Sequence, residues 1–158
     1  FTLNGREPGS ELSLRPRDAR VVATVSLKSN VPVDYLEIVR NGVVIDTVPL
    51  SGDRTSATAR ITLPVRGSGW YLLRARGNGP AYPVLDVYPY LTTSPIYVTV
   101  ARQPIRSPRD ADYFIAWINR LESAANGHRD WNTEGEKREV LRLMEQAKEE
   151  SRSRGGPL

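Results

Sequence analysis

The sequence predicts a mainly β fold that is followed by a carboxy-terminal hairpin of two helices. Up to about Gln103, apolar and polar residues alternate with a period of two, which is typical of strands with one buried face. After Ser107 the apolar residues recur at intervals of three and four, the period of an amphipathic helix. We therefore assign residues 1–103 to a β domain and residues 104–158 to a helical appendage. The appendage is expected to pack on the β domain as part of the same structural unit.

Short strands separated by turn-forming residues make up the β domain. Asn41-Gly42 stands between two apolar stretches and predicts a hairpin turn, because both residues tolerate positive φ. Seven or eight short strands at this spacing predict an immunoglobulin-like antiparallel β-sandwich. The predicted strands are Phe1–Asn4, Glu11–Leu14, Arg20–Lys28, Asp34–Arg40, Val43–Val48, Ala57–Leu63, Trp70–Arg76 and Ser94–Val100.

Tyr71, at the start of a late strand, has two interpretations. Behind Gly69-Trp70 it resembles the tyrosine corner of immunoglobulin-like domains, in which the hydroxyl bonds to nearby backbone. Gly67 stands where an aspartate is common and the chain has no cysteine pair, so the match is partial. The other interpretation is a core aromatic side chain, and the sequence leaves both open.

The two helices have recognisable ends. Ser107 suits the N-cap position, and Asn126-Gly127 predicts the end of the first helix. Thr133 followed by Glu136 predicts a capping box at the start of the second helix, and residues 151–158 are predicted to be a polar tail. The predicted apolar stripes are Ala111, Phe114, Ile115, Trp117, Ile118, Leu121 and Ala125 on the first helix, and Val140, Leu141, Met144 and Ala147 on the second.

Composition narrows the classes of function. The chain has no cysteine, which excludes disulfides, thiolate metal sites and cysteine chemistry, and leaves the compartment open, export included. The net charge of +4 is uneven: residues 1–106 hold 13 Lys/Arg and 8 Asp/Glu, and residues 107–158 hold 9 and 10. These basic residues are not clustered as in nucleic-acid-binding proteins. No apolar run approaches the ~20 residues of a membrane helix. We therefore expect neither nucleic acid nor membrane as a partner.

The residues that could carry chemistry do not form a catalytic pattern. His128 is the only histidine, so a zinc site with several nitrogen ligands cannot form. Asp130 could orient this histidine, but no nucleophile motif surrounds Ser123 or Thr133. A surface histidine, or one beside Trp131, is the favoured interpretation. We predict no catalytic, cofactor-binding or metal-binding residue in this chain.

Exposed aromatic residues are the main functional signal. The connection Ala81–Tyr90 is too apolar for an ordinary solvent loop, which indicates that it contacts something. Asp86 within it is interpreted as a turn-forming residue. The aromatic side chains could stack on sugars or bases, or could contact another part of the protein. The predicted interface residues are Trp70, Tyr82, Tyr88, Tyr90 and Tyr97.

Several segments together resemble a known family. They are Phe1–Arg6, Gly69–Ala75, Thr92–Val98, Asp112–Phe114, Trp117-Ile118 and Trp131–Thr133. With these residues, the chain resembles the carboxy-terminal region of bacterial CehA/McbA-type metallohydrolases, which belong to the PHP-like group. The resemblance implies a metal-dependent hydrolase whose histidine and acidic ligands lie in a preceding catalytic domain. None of those ligands can be carried onto this chain, which lacks the His-x-His motif.

Together these observations predict a non-catalytic accessory domain. The chain starts at Phe1 without a methionine and already in an apolar pattern, so we expect a fragment or processed product. Its expected partner is its own upstream catalytic domain, with the divalent metal implied only for that domain. The main alternative is an independent glycan- or protein-binding module. A hydrolase around His128 and a nucleic-acid-binding protein are further alternatives that the sequence favours less.

Overall fold

The computed structural model describes residues 1–18, 20–84 and 89–155. The chain divides into two compact units, Phe1–Ile105 and Arg106–Leu158, and each is described separately. Within the described residues, the first unit contains strands β1 (Thr2–Leu3), β2 (Glu11–Leu14), β3 (Arg20–Lys28), β4 (Tyr35–Arg40), β5 (Val43–Thr47), β6 (Ser56–Pro64), β7 (Gly69–Arg76), β8 (Tyr90–Thr92) and β9 (Ile96–Val100). The second unit contains helices α1 (Pro108–Gly127) and α2 (Glu134–Gly155).

The β unit consists of two sheets. The smaller sheet has the order β1-β3-β6, and the larger has the order β2-β9-β7-β4-β5, with β8 also pairing with β7. The pairs are antiparallel except β2 with β9, which run parallel. The expectation of a purely antiparallel arrangement is therefore wrong for β2. After β1 the chain crosses to the larger sheet, where β2 lies beside β9 and runs parallel to it.

One hydrophobic core joins the two sheets. Strand β3 contributes Val21, Ala23 and Val25, every second residue, as its alternating sequence predicts. Strand β7 contributes Tyr71 and alternate residues after it from the other sheet. The fully or almost fully buried residues of this core also include Leu3, Leu36, Ile38, Val48, Leu63, Leu73, Ala75, Ile96 and Val98. The predicted β-rich fold with a carboxy-terminal two-helix segment is therefore confirmed.

Tyr71 is a core side chain. Its ring is fully buried, and its hydroxyl has no hydrogen-bond partner among the described residues, unlike the hydroxyl of a tyrosine corner. Burial raises the pKa of this hydroxyl, and the nearby positive charge of Arg40 partly offsets that rise. The Arg40 guanidinium lies 5.7 Å from the ring centroid and donates hydrogen bonds to the carbonyls of Gly67 (3.0 Å) and Ser68 (3.3 Å). Arg40 thus stabilises the turn before β7 through these two hydrogen bonds.

Gly69 is needed where β7 begins. A Cβ there would lie 2.9 Å from Asn41 Oδ1 and 3.0 Å from Arg40 Nε. The same Asn41 oxygen accepts a hydrogen bond from the Trp70 backbone N–H at 2.9 Å. The side chains that hold the hairpin turn against β7 therefore occupy the space that any larger residue would need.

The two helices pack through a seam of alternating three- and four-residue steps. On α1 the least exposed residues are Ala111, Ile115, Ile118, Glu122 and Ala125, and on α2 they include Leu141, Met144, Lys148, Ser151 and Gly155. This spacing is that of a coiled-coil seam. The seam includes an ion pair, in which Lys148 Nζ lies 3.0 Å from Glu122 Oε2 and 2.6 Å from Glu145 Oε2.

The helix starts follow the predicted caps. Ser107 Oγ accepts from the Asp110 N–H, and Thr133 Oγ1 accepts from the Glu136 N–H. Two other expectations are wrong. Residues 90–92 form strand β8 rather than belonging to a loop, and α2 continues to Gly155 instead of ending before a tail at residue 151.

Candidate interaction surface

The outer face of the larger sheet carries most of the predicted interface residues. On β7, alternate residues from Tyr71 point into the core. Trp70, Leu72, Arg74 and Arg76 therefore project from the opposite face, because successive side chains of a strand alternate. We call this surface, with the paired positions of the neighbouring strands, the outer face.

An aromatic pair lies at one end of the outer face. Trp70 on β7 is the direct cross-strand partner of Tyr97 on β9, and Tyr97 is in turn paired with Glu11 on β2. Trp70 is half-buried and Tyr97 is 41% exposed. Directly opposed residues of an antiparallel pair lie side by side on one face of the sheet, so Trp70 and Tyr97 present neighbouring aromatic side chains there.

A second aromatic group lies at the other end of the outer face. Arg76 is paired with Tyr35 on β4 and with Tyr90 on β8. Its guanidinium lies 4.0 Å above the Tyr35 ring, within the range of a cation–π interaction. Tyr90 is 63% exposed. Because Arg76 follows Trp70 by six residues on one strand, the two groups are about 20 Å apart.

Between the two ends of the outer face, the buried carboxylate of Glu37 pairs with two arginine side chains. Glu37 is 7% exposed, and its Oε2 accepts from Arg74 Nε at 2.9 Å. Arg76 Nε lies 3.8 Å from the same oxygen. The carboxylate thus has two guanidinium partners, which hold both arginines in fixed positions against the sheet and offset part of their charge.

Aliphatic side chains occupy the middle of the outer face on β4, β5 and β7. Val39 on β4 is paired with Leu72 on β7 and with Val44 on β5. Val39 is buried although it faces away from the core, and Val44 is exposed. The outer face is thus aliphatic in the middle of β4, β5 and β7, has paired charges near Arg76, and has polar side chains beside Tyr97 on β2 and β9.

A crevice of about 380 Å³ lies next to β8. Its described lining is mainly apolar and includes Val31, Val33, Ala75, Tyr90 and Leu91, with Lys28, Ser29 and Asn30 also on its wall. The crevice is large enough for one bulky side chain of a partner and adjoins the Tyr90 end of the outer face.

The structure brings together only part of the predicted interface. Trp70 and Tyr97 are neighbours, Tyr90 shares their face at the far end, and Tyr82 is 82% exposed in the connection before β8. Tyr88 and Asp86 lie outside the described residues. The sequence argument missed Tyr35, Arg76 and the Glu37 pairing. Period-two alternation does place Arg76 on the face of Trp70, but it does not show which strand lies beside it.

The candidate catalytic residues have structural contacts. The His128 ring packs edge-on against Trp131 at a centroid distance of 5.4 Å, which agrees with the favoured interpretation. Ser123 Oγ donates to the carbonyl of Asn119, and Thr133 Oγ1 caps α2. Over residues 1–18, 20–84 and 89–155, no group of three His, Cys, Asp or Glu side chains is arranged to hold a metal ion. Neither helix, as far as it is described, is long and apolar enough to cross a membrane.

The chain matches no protein-family model, no curated protein and no solved structure. The resemblance to the carboxy-terminal region of metallohydrolases therefore stays a prediction from the sequence, and the function is argued from the surface geometry alone.

Proposed function

We propose that this chain is a non-catalytic accessory domain that binds a neighbouring protein domain through the outer face of its larger sheet. The proposed architecture is an immunoglobulin-like sandwich with a helical hairpin. The sheet order supports it: β1-β3-β6 corresponds to strands A, B and E, and β9-β7-β4-β5 to G, F, C and C′ of that fold. A core drawn from both sheets is also what a sandwich requires.

The observation that carries the proposal is the pair of aromatic groups at the two ends of the outer face. Trp, Tyr and Arg are enriched at protein interfaces, since they offer large contact areas together with hydrogen bonds. Trp70 with Tyr97, and Tyr35 with Arg76, have this composition. The paired carboxylate of Glu37 offsets local positive charge, which fits a protein partner better than a phosphate backbone.

The proposed partner is a metal-dependent catalytic domain that precedes Phe1 in the same polypeptide. The choice rests on the sequence resemblance, which implies that such a domain holds the metal and performs hydrolysis. In this arrangement the outer face would pack beside the catalytic site or shape its entrance. The crevice beside Tyr90 would receive a side chain from the catalytic domain.

Hydroxyl-radical footprinting tests this proposal. The 158-residue chain is compared with the longer polypeptide that includes the sequence preceding Phe1. Labelling of Trp70, Tyr90 and Tyr97 is expected to fall several-fold in the longer polypeptide, while buried Tyr71 stays unlabelled in both. Equal labelling of the three residues in the two polypeptides would contradict the proposal.

The second candidate function is an independent glycan-binding module. The neighbouring Trp70 and Tyr97 side chains favour it, because aromatic faces stack on sugar rings. A glycan array with the 158-residue chain separates the two functions. Specific binding that is abolished in Trp70→Ala and retained in Trp131→Phe would support glycan recognition. A blank array would leave the accessory-domain proposal as the better account.

A further inference from the structure

Strand β6 leaves the longest regular strand edge of the β unit unpaired. Among the described strands it pairs only with β3, and its nine residues keep one register from Ser56 to Pro64. The other edge strands, β1, β2, β5 and β8, have two to five residues. β5 is also irregular, because its register shifts against β4 and its Thr47 N–H donates to the Asp46 carboxylate. β6 is therefore the edge that is best suited to receive a further strand.

Alternate residues of β6 direct their backbone groups away from β3. Just beyond the two strands, the Ser29 N–H donates to the Thr55 carbonyl at 2.8 Å, in the register of the strand pair. Hydrogen-bonded pairs recur at every second residue of an antiparallel ladder, so the odd-numbered residues of β6 bond to β3. The backbone groups of Thr58, Arg60 and Thr62 therefore point outward, and they make no hydrogen bond within the described part of the chain. We call these three residues the open edge.

Both ends of the open edge are closed. At one end, the Ser56 N–H donates to Ser51 Oγ at 3.1 Å, and the Ser51 N–H donates to the Ser56 carbonyl at 2.8 Å. At the other end, Pro64 has no N–H to donate. Between these ends, three N–H and three C=O groups remain over about 13 Å of strand. An extended segment of about five residues can pair with all of them.

The side chains of β6 define what such a segment should contain. The side chains of the open edge are exposed on the solvent side of the smaller sheet, whereas Ala59 and Ile61 are partly buried against the core. An added strand places its alternate side chains on these two sides. Apolar residues beside Ala59 and Ile61, and an acidic residue opposite Arg60, complement both sides.

The charge of the solvent side also favours an acidic segment. The charged residues of β3 and β6 on this side are Arg20, Lys28 and Arg60, and all three are positive. None of them forms a salt bridge over residues 1–18, 20–84 and 89–155. Arg60 is the middle residue of the open edge. A carboxylate opposite Arg60 therefore gains a charged partner and displaces none.

We propose that the open edge of β6 binds an extended acidic segment of another polypeptide as an added antiparallel strand. An extended backbone is the ligand that fits, because its own N–H and C=O groups alternate at the spacing of the open edge. The positive charge of Arg60 selects the acidic residue at the centre of that segment. This site is separate from the outer face of the larger sheet, so it does not rest on the accessory-domain proposal.

A second copy of the chain fits the open edge less well. The open edge is symmetric about Arg60, so a two-fold pairing of β6 with β6 that uses all of its groups places one Arg60 directly opposite the other. Like charges directly opposite each other destabilise a strand pair. Arg60 thus disfavours pairing between copies and favours a partner that carries a carboxylate.

NMR titration of the 158-residue chain tests the proposal with the capped peptide Ser-Thr-Val-Glu-Val-Thr-Ser. A ladder of this length without a deep pocket should bind with a dissociation constant of order 0.1–1 mM, so the peptide is added up to about 5 mM. We expect the amide signals of Thr58, Arg60 and Thr62 to shift and their hydrogen exchange to slow several-fold. The Ala57 and Ala59 amides, which already bond to β3, should keep their exchange rates.

A modified peptide separates backbone pairing from charge attraction. N-methylation of the glutamate removes the central N–H donor and keeps the negative charge. We expect this peptide to bind at least about fivefold more weakly, because the central hydrogen bond is lost and the methyl group blocks the strand approach. Equal binding of the two peptides would show that attraction to positive charge alone accounts for the association.

A charge reversal tests the role of Arg60. In Arg60→Glu, we expect the preference for the glutamate peptide over a peptide with lysine at its centre to reverse, with each affinity changing about threefold or more. Arg20→Glu is the matched control, since it makes the same charge change on the solvent side but lies on β3, opposite Pro64. It should keep the original preference, and the dispersion of the NMR signals checks that both variants remain folded.

Four results would overturn the proposal. They are unchanged signals of the open edge at about 5 mM peptide, equal binding of the N-methylated peptide, and a preference that Arg20→Glu reverses as fully as Arg60→Glu. The fourth is slower exchange of the open-edge amides as the concentration of the chain alone rises, because a second copy would then be the occupant.

Discussion

The β unit and the helical hairpin treat their apolar residues in opposite ways. The β unit has a closed apolar core in which Leu36, Ile38 and Tyr71 have no exposed surface, although other aromatic side chains of the unit are exposed. Helix α1 contains no buried residue by the same measure, and it leaves Trp117 half exposed. The comparison teaches that two equally regular apolar patterns can serve different purposes. The first forms a core, and the second is available for contact.

A matched pair of leucine substitutions gives the largest expected effect on this comparison. Leu36→Ala should lower the free energy of unfolding of the β unit by about 2–5 kcal/mol, because it leaves a cavity in a closed core. Leu121→Ala should lower that of the hairpin by less than about 1 kcal/mol, since Leu121 is 48% exposed.

Urea titrations followed by Trp70 fluorescence in a Trp117→Phe, Trp131→Phe background and by helical circular dichroism measure the two free energies. If Leu121→Ala proved as costly as Leu36→Ala, Leu121 would be part of a closed core and not of an exposed surface.

Much of the β unit was predictable because burial on one face imposes a period of two. The bounds of β2 and β3 coincide with the prediction, and the end of α1 at Gly127 does too. Strand β8 was missed, since Tyr90, Leu91 and Thr92 are all exposed and show no alternation.

The extension of α2 was missed for a related reason. Its last residues are polar, so no apolar stripe indicates a helix. The structure instead shows ion pairs within that turn, Arg152 with Glu149 and Arg154 with Glu150. Basic residues near a helix carboxyl end also interact favourably with the helix dipole.

The candidate site was less predictable than the fold. Composition and alternation pointed to exposed aromatic residues, and Trp70 and Tyr97 do share a face. Their adjacency depends on the register between β7 and β9, which no local pattern in the chain encodes. The placement of Arg76 over Tyr35 likewise depends on the pairing of β4 with β7.

A matched pair of glycine substitutions compares how tightly each unit is packed. We expect these substitutions to change the free energy of unfolding less than the leucine substitutions do. Gly69→Ala should cost the β unit about 1–3 kcal/mol, because the new methyl group displaces Asn41 from its bond to Trp70. In Gly155→Ala the Cβ would lie 2.7 Å from the Ala111 Cβ. Because the Ala111 Cβ is fixed to the backbone of α1, the last turn of α2 must shift, and the higher helix propensity of alanine offsets about 1 kcal/mol of this cost.

We therefore expect less than about 1 kcal/mol for Gly155→Ala in the same urea titrations. Gly52→Ala, where the added methyl group meets no atom within 4 Å, is the control for Gly69→Ala. A larger loss for Gly155→Ala than for Gly69→Ala would mean that the open end of the hairpin is as rigid as the start of β7.

Lowering the pH should have the smallest effect on the stability of the two units. An acid titration tests which unit depends more on exposed carboxylates. The Arg142 side chain lowers the pKa of Glu139 below 4.5, and Lys148 does the same for Glu145. Because these two pKa values are lower in the folded state, ionised Glu139 and Glu145 stabilise the hairpin at pH values above their ordinary pKa. This stabilisation is lost as the pH falls through their lowered pKa values. In the β unit, hydroxyl groups of Ser51 and Thr55 lower the pKa of Asp53 to about 2.

The helical signal should therefore weaken as the pH drops below about 4.5, whereas the Asp53 contribution to the β unit declines only below about 3.8 and is lost as the pH falls through about 2. Circular dichroism at 222 nm and Trp70 fluorescence in a Trp117→Phe, Trp131→Phe background follow the two units. Glu145→Gln should flatten the response of the hairpin, and Asp53→Asn that of the β unit. Loss of both signals in one shared transition would show that the two units unfold together. The β unit and the hairpin would then not be independently stable, despite their difference in apolar exposure.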